Sequence, residues 1–125
     1  MTLARKKQTD MLRLLNIAAE VADLSSDRMR KAFVGVVALR QDGTLVHARN
    51  GSTPDPEGIN PKAHAEFRVL RKAGYGASVY VARLKRDGTF GLAKPCAYCM
   101  AALKSRGVEL AYYTTENDQW EACRP

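Results

Sequence analysis

The sequence predicts an α/β fold in which helices cover a mixed β-sheet. Three observations carry that expectation. Segments of helical and strand periodicity follow one another in the order α-β-β-α-β-α-β. Two of the helical segments lie between strand segments, the arrangement from which βαβ crossovers are built. Each of those two opens at a proline, Pro61 or Pro95, and closes at a glycine, Gly74 or Gly107, the asymmetry that marks helix ends.

The first helix is expected over residues 10–22, where Met11, Leu14, Leu15, Ala18 and Ala22 recur at helical spacing and Thr9 is placed to cap. Residues 33–39 form a compact apolar run and residues 44–48 a second strand. Between them stands Gln41-Asp42-Gly43, a turn of the Asp-Gly type, so the pair reads as a β-hairpin. Residues 50–62, rich in Gly, Pro, Asp and Ser, form a loop leading into a helix over residues 63–73. Residues 79–84 are β-branched and aromatic, hence a strand, prolonged as a ribbon through Asp87-Gly88 to Leu92. A helix then runs from Pro95 to Gly107, and residues 109–114 form the last strand. The tail over residues 115–125 is expected to add no element. Phe67, Val69, Leu70, Met100 and Leu103 are candidate core residues.

A chain of 125 residues is expected to form one domain over residues 1–125, large enough to bury roughly two thirds of its unfolded surface. With 46% hydrophobic and 26% charged residues, the composition is that of a globular protein and excludes a disordered one. No apolar stretch approaches the ~18 residues of a spanning helix or the core of a signal peptide, so a cytosolic location is expected. The sequon Asn50-Gly51-Ser52 is then idle. Three cysteines, two of them in Cys96-Ala-Tyr-Cys99, suit a reduced compartment and a metal or redox role rather than a disulfide framework.

The formal charge of +7 favours an anionic partner: free nucleotide, RNA, DNA or an acidic protein. Basic residues occur at 5–7, 28–31, 68–72 and 83–86, spread along the chain, and a solvated surface accounts for part of them.

The unusual residues stand at two helix starts: Pro61-Lys-Ala-His64-Ala-Glu66 and Lys94-Pro95-Cys96-Ala-Tyr-Cys99. Cys96 and Cys99, three apart in a first turn, can turn their sulfurs the same way, and a helix N-terminus favours thiolates. If both helices start at one edge of the sheet, His64 can join the two thiolates as a third zinc ligand. Three ligands leave a fourth position for water, whose pKa zinc lowers to about 7. Glu66, two residues after His64, can border the same cleft and move protons, as hydrolytic deamination requires.

His64-Ala65-Glu66 together with Pro95-Cys96-Ala97-Tyr98-Cys99 resembles the zinc-dependent cytidine and deoxycytidylate deaminase superfamily. The resemblance extends over most of the chain, because the element order is also similar to that fold. It implies a three-layer α-β-α architecture with a central mixed sheet. It further implies one zinc per chain held by His64, Cys96 and Cys99, Glu66 as general acid and base, and a base pocket lined by backbone at Ala65 and Cys96. Asn50 resembles the asparagine with which several branches contact the sugar. The substrate implied is cytosine in a nucleoside or nucleotide, and superfamily members are commonly oligomeric, so a dimer or tetramer is expected. In the nucleoside branch the second cysteine is usually followed by Arg-Gln, whereas Met100-Ala101 follows Cys99 here. The run Asn60-Pro-Lys-Ala-His64-Ala-Glu66 is similar to that of tRNA adenosine deaminases, which carry Glu where this chain has Lys94. Deamination of a base in RNA or single-stranded DNA, and a catalytically silent zinc module that binds nucleic acid, are the alternatives.

Blander readings stand beside these. Alone, Cys96-x-x-Cys99 suits a redox pair or half of a structural zinc site, for which only His47 and Cys123 remain as further Cys or His ligands. His47 within a strand reads as a packed or surface residue, and Cys123 near the chain end as a spare thiol. Glu66 fits an ordinary acid favoured by the helix dipole, Asn50 a turn residue before Gly51, and Tyr98 either packing or stacking on a base.

Overall fold

The computed structural model describes residues 3–23, 32–49, 65–85, 87–116 and 119–125. Its elements are α1 (Leu3–Asp23), β1 (Ala32–Leu39), β2 (Leu45–Arg49), α2 (Ala65–Ala73), β3 (Ser78–Lys85), β4 (Phe90–Gly91), α3 (Ala97–Ser105), β5 (Ala111–Thr114) and β6 (Trp120–Cys123). The sheet order is β2-β1-β3-β5-β6, with β4 paired to β3 off that path. β1 is antiparallel to both β2 and β3, while β5 is parallel to β3 and β6 antiparallel to β5. β2, β3 and β5 therefore run in one direction, and α2 and α3 are the crossovers between them. The sheet is mixed, as the sequence predicts.

Alternation along the central strands sorts their side chains into two cores. Val37, Tyr80 and Ala82 meet Leu14, Leu15, Ala18 and Ala19 of α1 on one face. Val36, Ala38, Val79 and Val81 meet Val69, Leu70 and Ala73 of α2 and Leu103 of α3 on the other. The result is three layers, α-β-α, with central strands buried on both faces, which is why β1 reads as an unbroken apolar run rather than an alternating one.

Two hairpins use one turn chemistry twice. In each, Asp-Gly-Thr closes the loop: the Asp42 carboxylate accepts bonds from the Thr44 N–H (3.0 Å) and hydroxyl (2.6 Å). Asp87 does the same for Thr89. The glycines Gly43 and Gly88 take the positive φ the loops need, 88° and 86°.

Three expectations are corrected. The first helix begins at Leu3, not at residue 10, so Thr9 lies inside α1 and does not cap it. Residues 3–8 (Leu-Ala-Arg-Lys-Lys-Gln) are strong helix formers, and propensity carries the helix beyond the apolar stripe. The tail is not bare of structure: β6 pairs with β5, and Trp120 meets Tyr112 edge-on at 6.1 Å, while Tyr112 stacks on Tyr80 at 4.9 Å. Cys123 therefore belongs to a strand. The Asp87-Gly88 ribbon is a separate short strand, β4. The loop over residues 50–62 and the first residues of the predicted 63–73 helix lie outside the described residues.

β4 and β5 share one edge of β3, β4 opposite Arg83 and Leu84 and β5 opposite residues 79–81. Where one gives way to the other, the buried Thr114 hydroxyl accepts the Arg83 N–H at 3.1 Å and donates to the Gly91 carbonyl at 2.8 Å. A side chain thus continues the ladder across the gap, sparing buried backbone groups the cost of going unpaired.

At Gly35 the chain leaves no room for a side chain. A Cβ there would overlap the Ala18 carbonyl oxygen and stand 2.6 Å from the Ala22 nitrogen, both backbone atoms of α1. Gly35→Ala should therefore lift α1 off the sheet and cost about 2–3 kcal/mol. A lowered urea midpoint at unchanged m would report this, and an unaltered midpoint would contradict the contact.

The two turn aspartates make stability acid-sensitive. Hydrogen bonds from the Thr44 side chain and backbone hold the Asp42 carboxyl below its ordinary 3.8, and Thr89 does so for Asp87. A depressed folded pKa gives a contribution present above the unfolded pKa and lost as pH falls through the folded one. The double replacement Asp42→Asn with Asp87→Asn keeps the acceptors but removes the titration. Its urea midpoint should fall less than that of the parent between about pH 5 and pH 2, and parallel curves would show that these carboxylates do not contribute.

Candidate active site

Helix α2 separates its residues sharply by face. Ala65, Glu66, Val69, Leu70 and Ala73 are buried, whereas Arg68, Arg71 and Lys72 are exposed. Glu66 stands in the first turn, where the helix dipole offsets part of the cost of burying a carboxylate. It is only 6% exposed. An ordinary first-turn acid stays in water, so burial already separates Glu66 from that reading. Ala65 beside it belongs to the apolar core.

Helix α3 supplies the thiols. Pro95 is buried, and Cys96 takes the N-cap in extended backbone geometry (φ −70°, ψ 171°) with no side-chain capping bond. Its carbonyl instead accepts the Met100 N–H at 2.8 Å, opening the helix. Cys99, one turn in, is fully buried, while Cys96 is exposed.

The Cys99 thiol is in hydrogen-bond contact with the side chains of Glu66 and Cys96, which brings the first turns of α2 and α3 together. The helix N-terminus was expected to favour a thiolate. Burial, and after it the negative charge of Glu66, instead push the Cys99 thiol far up. A buried carboxylate against two thiols is a set of groups whose anionic forms repel one another. A divalent cation relieves that repulsion and draws the thiol proton off, so the donor set suits a thiophilic metal such as zinc.

Among the described residues, no group of three or more His, Cys, Asp or Glu side chains is arranged to hold a metal. His64, the predicted third ligand, and Asn50, the predicted sugar contact, lie outside the described residues. Tyr98 is 64% exposed, pointing to solvent rather than packing. His47 is exposed on β2, and its carbonyl accepts from the Lys72 ammonium at 2.9 Å. Cys123 is half-buried with Sγ 4.0 Å from the Met100 Sδ, and burial raises its thiol. Met100 is thus partly buried, Val69, Leu70 and Leu103 are core as predicted, and the Phe67 side chain lies outside the description.

One feature the sequence did not disclose is a recess of about 490 Å³ where α2 faces β2, lined by His47, Arg49, Arg68, Arg71 and Lys72. The 68/71/72 spacing marks one helix face, but Arg49 arrives from a different element, so their convergence is invisible in chain order.

Residues 8–115 match the family model of the cytidine and deoxycytidylate deaminase zinc-binding region. A match over that much of the chain, on this α-β-α scaffold, defines the class as zinc-binding deaminases. The chain belongs to the cytidine and deoxycytidylate deaminase family.

Solved structures agree on the fold. The cytidine deaminase from Burkholderia pseudomallei aligns with 99% of this chain and 93% of its own, at 17% identity and a TM-score of 0.64. That from Mycobacterium tuberculosis aligns with 90% and 87%, at 18% identity and 0.59. The dCMP deaminase from the cyanophage S-TIM5 aligns with 94% and 88%, at 21% identity and 0.57. No curated protein matches the chain. Among the described residues no helix is long and apolar enough to cross a membrane.

The burial contrast between the cysteines sets an order of reactivity. In metal-free protein at about pH 8, iodoacetamide should modify Cys96 well before Cys99, because the thiolate is the nucleophile and burial suppresses it. Added zinc should protect both. Mass spectrometry of timed digests follows each site, and equal rates would overturn the assigned environments.

Proposed function

We propose that this protein hydrolytically deaminates cytosine in a nucleoside or nucleotide, giving the uracil form and ammonia. The observation that carries the reading is the Glu66 carboxylate, buried and in contact with the Cys99 thiol beside Cys96. Cys96 and Cys99, with His64, would hold one zinc ion. Zinc, when bound, acidifies a water molecule and so supplies a nucleophile at neutral pH.

The chain's own part is proton movement and orientation. Water adds to the ring carbon bearing the amine. Glu66 accepts a proton from that water and delivers it to the ring nitrogen, then takes the proton of the added hydroxyl and passes it to the amine as the carbonyl forms and the carbon–nitrogen bond breaks, so that ammonia leaves as a neutral molecule. The burial of Glu66 keeps bulk water from competing for the protons it moves. Backbone at Ala65 and Cys96 would border the base, and Asn50 would hold the sugar. Residues 1–125 would act as one domain in the cytosol, assembled as a dimer or tetramer.

Ammonia release by the zinc-loaded protein tests the reading across cytidine, deoxycytidine, their monophosphates, adenosine and short single-stranded oligonucleotides. Turnover of a small cytosine compound is the expected result. Glu66→Gln should lower that turnover by about 100- to 10,000-fold while zinc content, measured by atomic emission, stays at that of the parent. Near-normal activity in this variant would rule out the assigned role.

A further inference from the structure

We propose that the cationic recess between β2 and α2 is a docking site for the phosphate backbone of a single-stranded polynucleotide. The recess is walled by Arg68, Arg71 and Lys72 from α2 and by His47 and Arg49 from β2, and no carboxylate is among the described residues that line it. Residues 68 and 72 are about 6 Å apart along the helix axis at 1.5 Å rise per residue. Cationic groups on two facing walls over that length exceed what one phosphate engages, and fit successive phosphates of a chain.

Part of this arrangement serves the fold. The C-terminal end of α2 welcomes Arg71 and Lys72, but it has no bearing on Arg49 or Arg68. Like charges three and four residues apart oppose helix formation. The cations are nonetheless held in place: Arg68 Nη1 donates to the Arg49 carbonyl at 3.0 Å and Lys72 Nζ to the His47 carbonyl at 2.9 Å. Each anchoring bond uses a single donor, and a guanidinium has five N–H donors and an ammonium three. The remaining donors serve an anion without the full entropic cost of ordering a free side chain.

The lining also selects between macromolecules. Protein interfaces are organised around an apolar centre, and among the described residues that line the recess only Val21 and Ala48 are apolar. A cleft that gathers the cationic side chains Arg49, Arg68, Arg71 and Lys72 matches the backbone-led recognition of nucleic acid. The α2 residues of that lining, Arg68, Arg71 and Lys72, are exposed, whereas Glu66 on the same helix is buried. The requirement for an unpaired strand rests on the deaminase reading, because a base must leave the stack to react. The affinity of the groove does not.

Fluorescence anisotropy of the zinc-loaded full chain with a labelled single-stranded oligonucleotide of about a dozen nucleotides, as DNA and as RNA, tests the proposal. Affinity should fall with salt, with a log–log slope of roughly −2 to −3 for three or four phosphates at about −0.7 each. Arg71→Glu and, separately, Arg49→Gln should each weaken binding about tenfold and reduce the slope by roughly one contact. The control Lys104→Glu, an exposed charge on α3, should change affinity less than twofold. Equal loss in the control would overturn the proposal by assigning the binding to overall charge. Displacement of the oligonucleotide by cytidine monophosphate or inorganic phosphate at equal phosphate concentration would overturn it in favour of a single-phosphate pocket. Equally tight binding of polyglutamate would favour an acidic protein instead. An altered oligomeric mass for Arg71→Glu with oligonucleotide binding intact would make the groove a subunit contact. Ammonia release does not enter these readouts, so the two readings fail independently.

Discussion

The parallel pairing of β3 with β5 is the constraint on which the rest of the molecule depends. Val79, Tyr80 and Val81 stand opposite Ala111, Tyr112 and Tyr113, and a parallel pair can be joined only by a chain that crosses over the sheet. That crossover contains α3. Because β1 is antiparallel to both neighbours, β2 also runs with β3, and α2 is obliged to cross in the same sense. Ligands of open α/β sheets bind beyond the carboxyl ends of such strands, where Glu66 and Cys99 meet. Thr114 secures this geometry at its weakest point, where β5 ends and β4 takes over the edge of β3.

The site concentrates groups that are unfavourable in the folded chain by itself. Glu66 and Cys99 are both removed from water, and the charged form of each penalises that of the other. On the proposed reading, such an arrangement is preorganisation for a cation. The cost is carried by surrounding packing: Ala65, Val69, Leu70 and Leu103 form an apolar core immediately beneath. α2 thus has two unrelated duties, holding a carboxylate inward and a cationic row outward, with the buried positions between them fixing its rotation.

The pattern from which the site is proposed was visible in the chain because its residues are local. Pro95, Cys96 and Cys99 lie in one turn, and Glu66 in another, so chain spacing alone indicates what each helix start presents. The Asp-Gly-Thr turns were legible for the same reason, since Asp, Gly and Thr each supply one bond or dihedral within three residues. What escaped is what depends on partners distant in sequence. β6 is four residues long, too short for an alternation signal, and is held by pairing with β5 and by the aromatic row of Tyr80, Tyr112 and Trp120. The beginning of α1 escaped because its residues have helix propensity without an apolar stripe. The cationic recess escaped because Arg49 reaches it from β2. The depth at which Cys99 lies also escaped, since burial is a tertiary quantity.

β6 has a further significance for solubility. It is the terminal strand of the sheet, and beneath it β5 carries Ala-Tyr-Tyr-Thr, a segment of high β-propensity and no charge. Left bare, an edge of that composition offers its N–H and C=O groups to strands of other molecules. β6 covers it with a strand that is short and bears the exposed Glu121, followed by Arg124 and Pro125, features that discourage further pairing. Loss or fraying of these last residues would convert a closed sheet margin into a template for intermolecular β-addition, making the final strand a guard against aggregation as well as part of the fold.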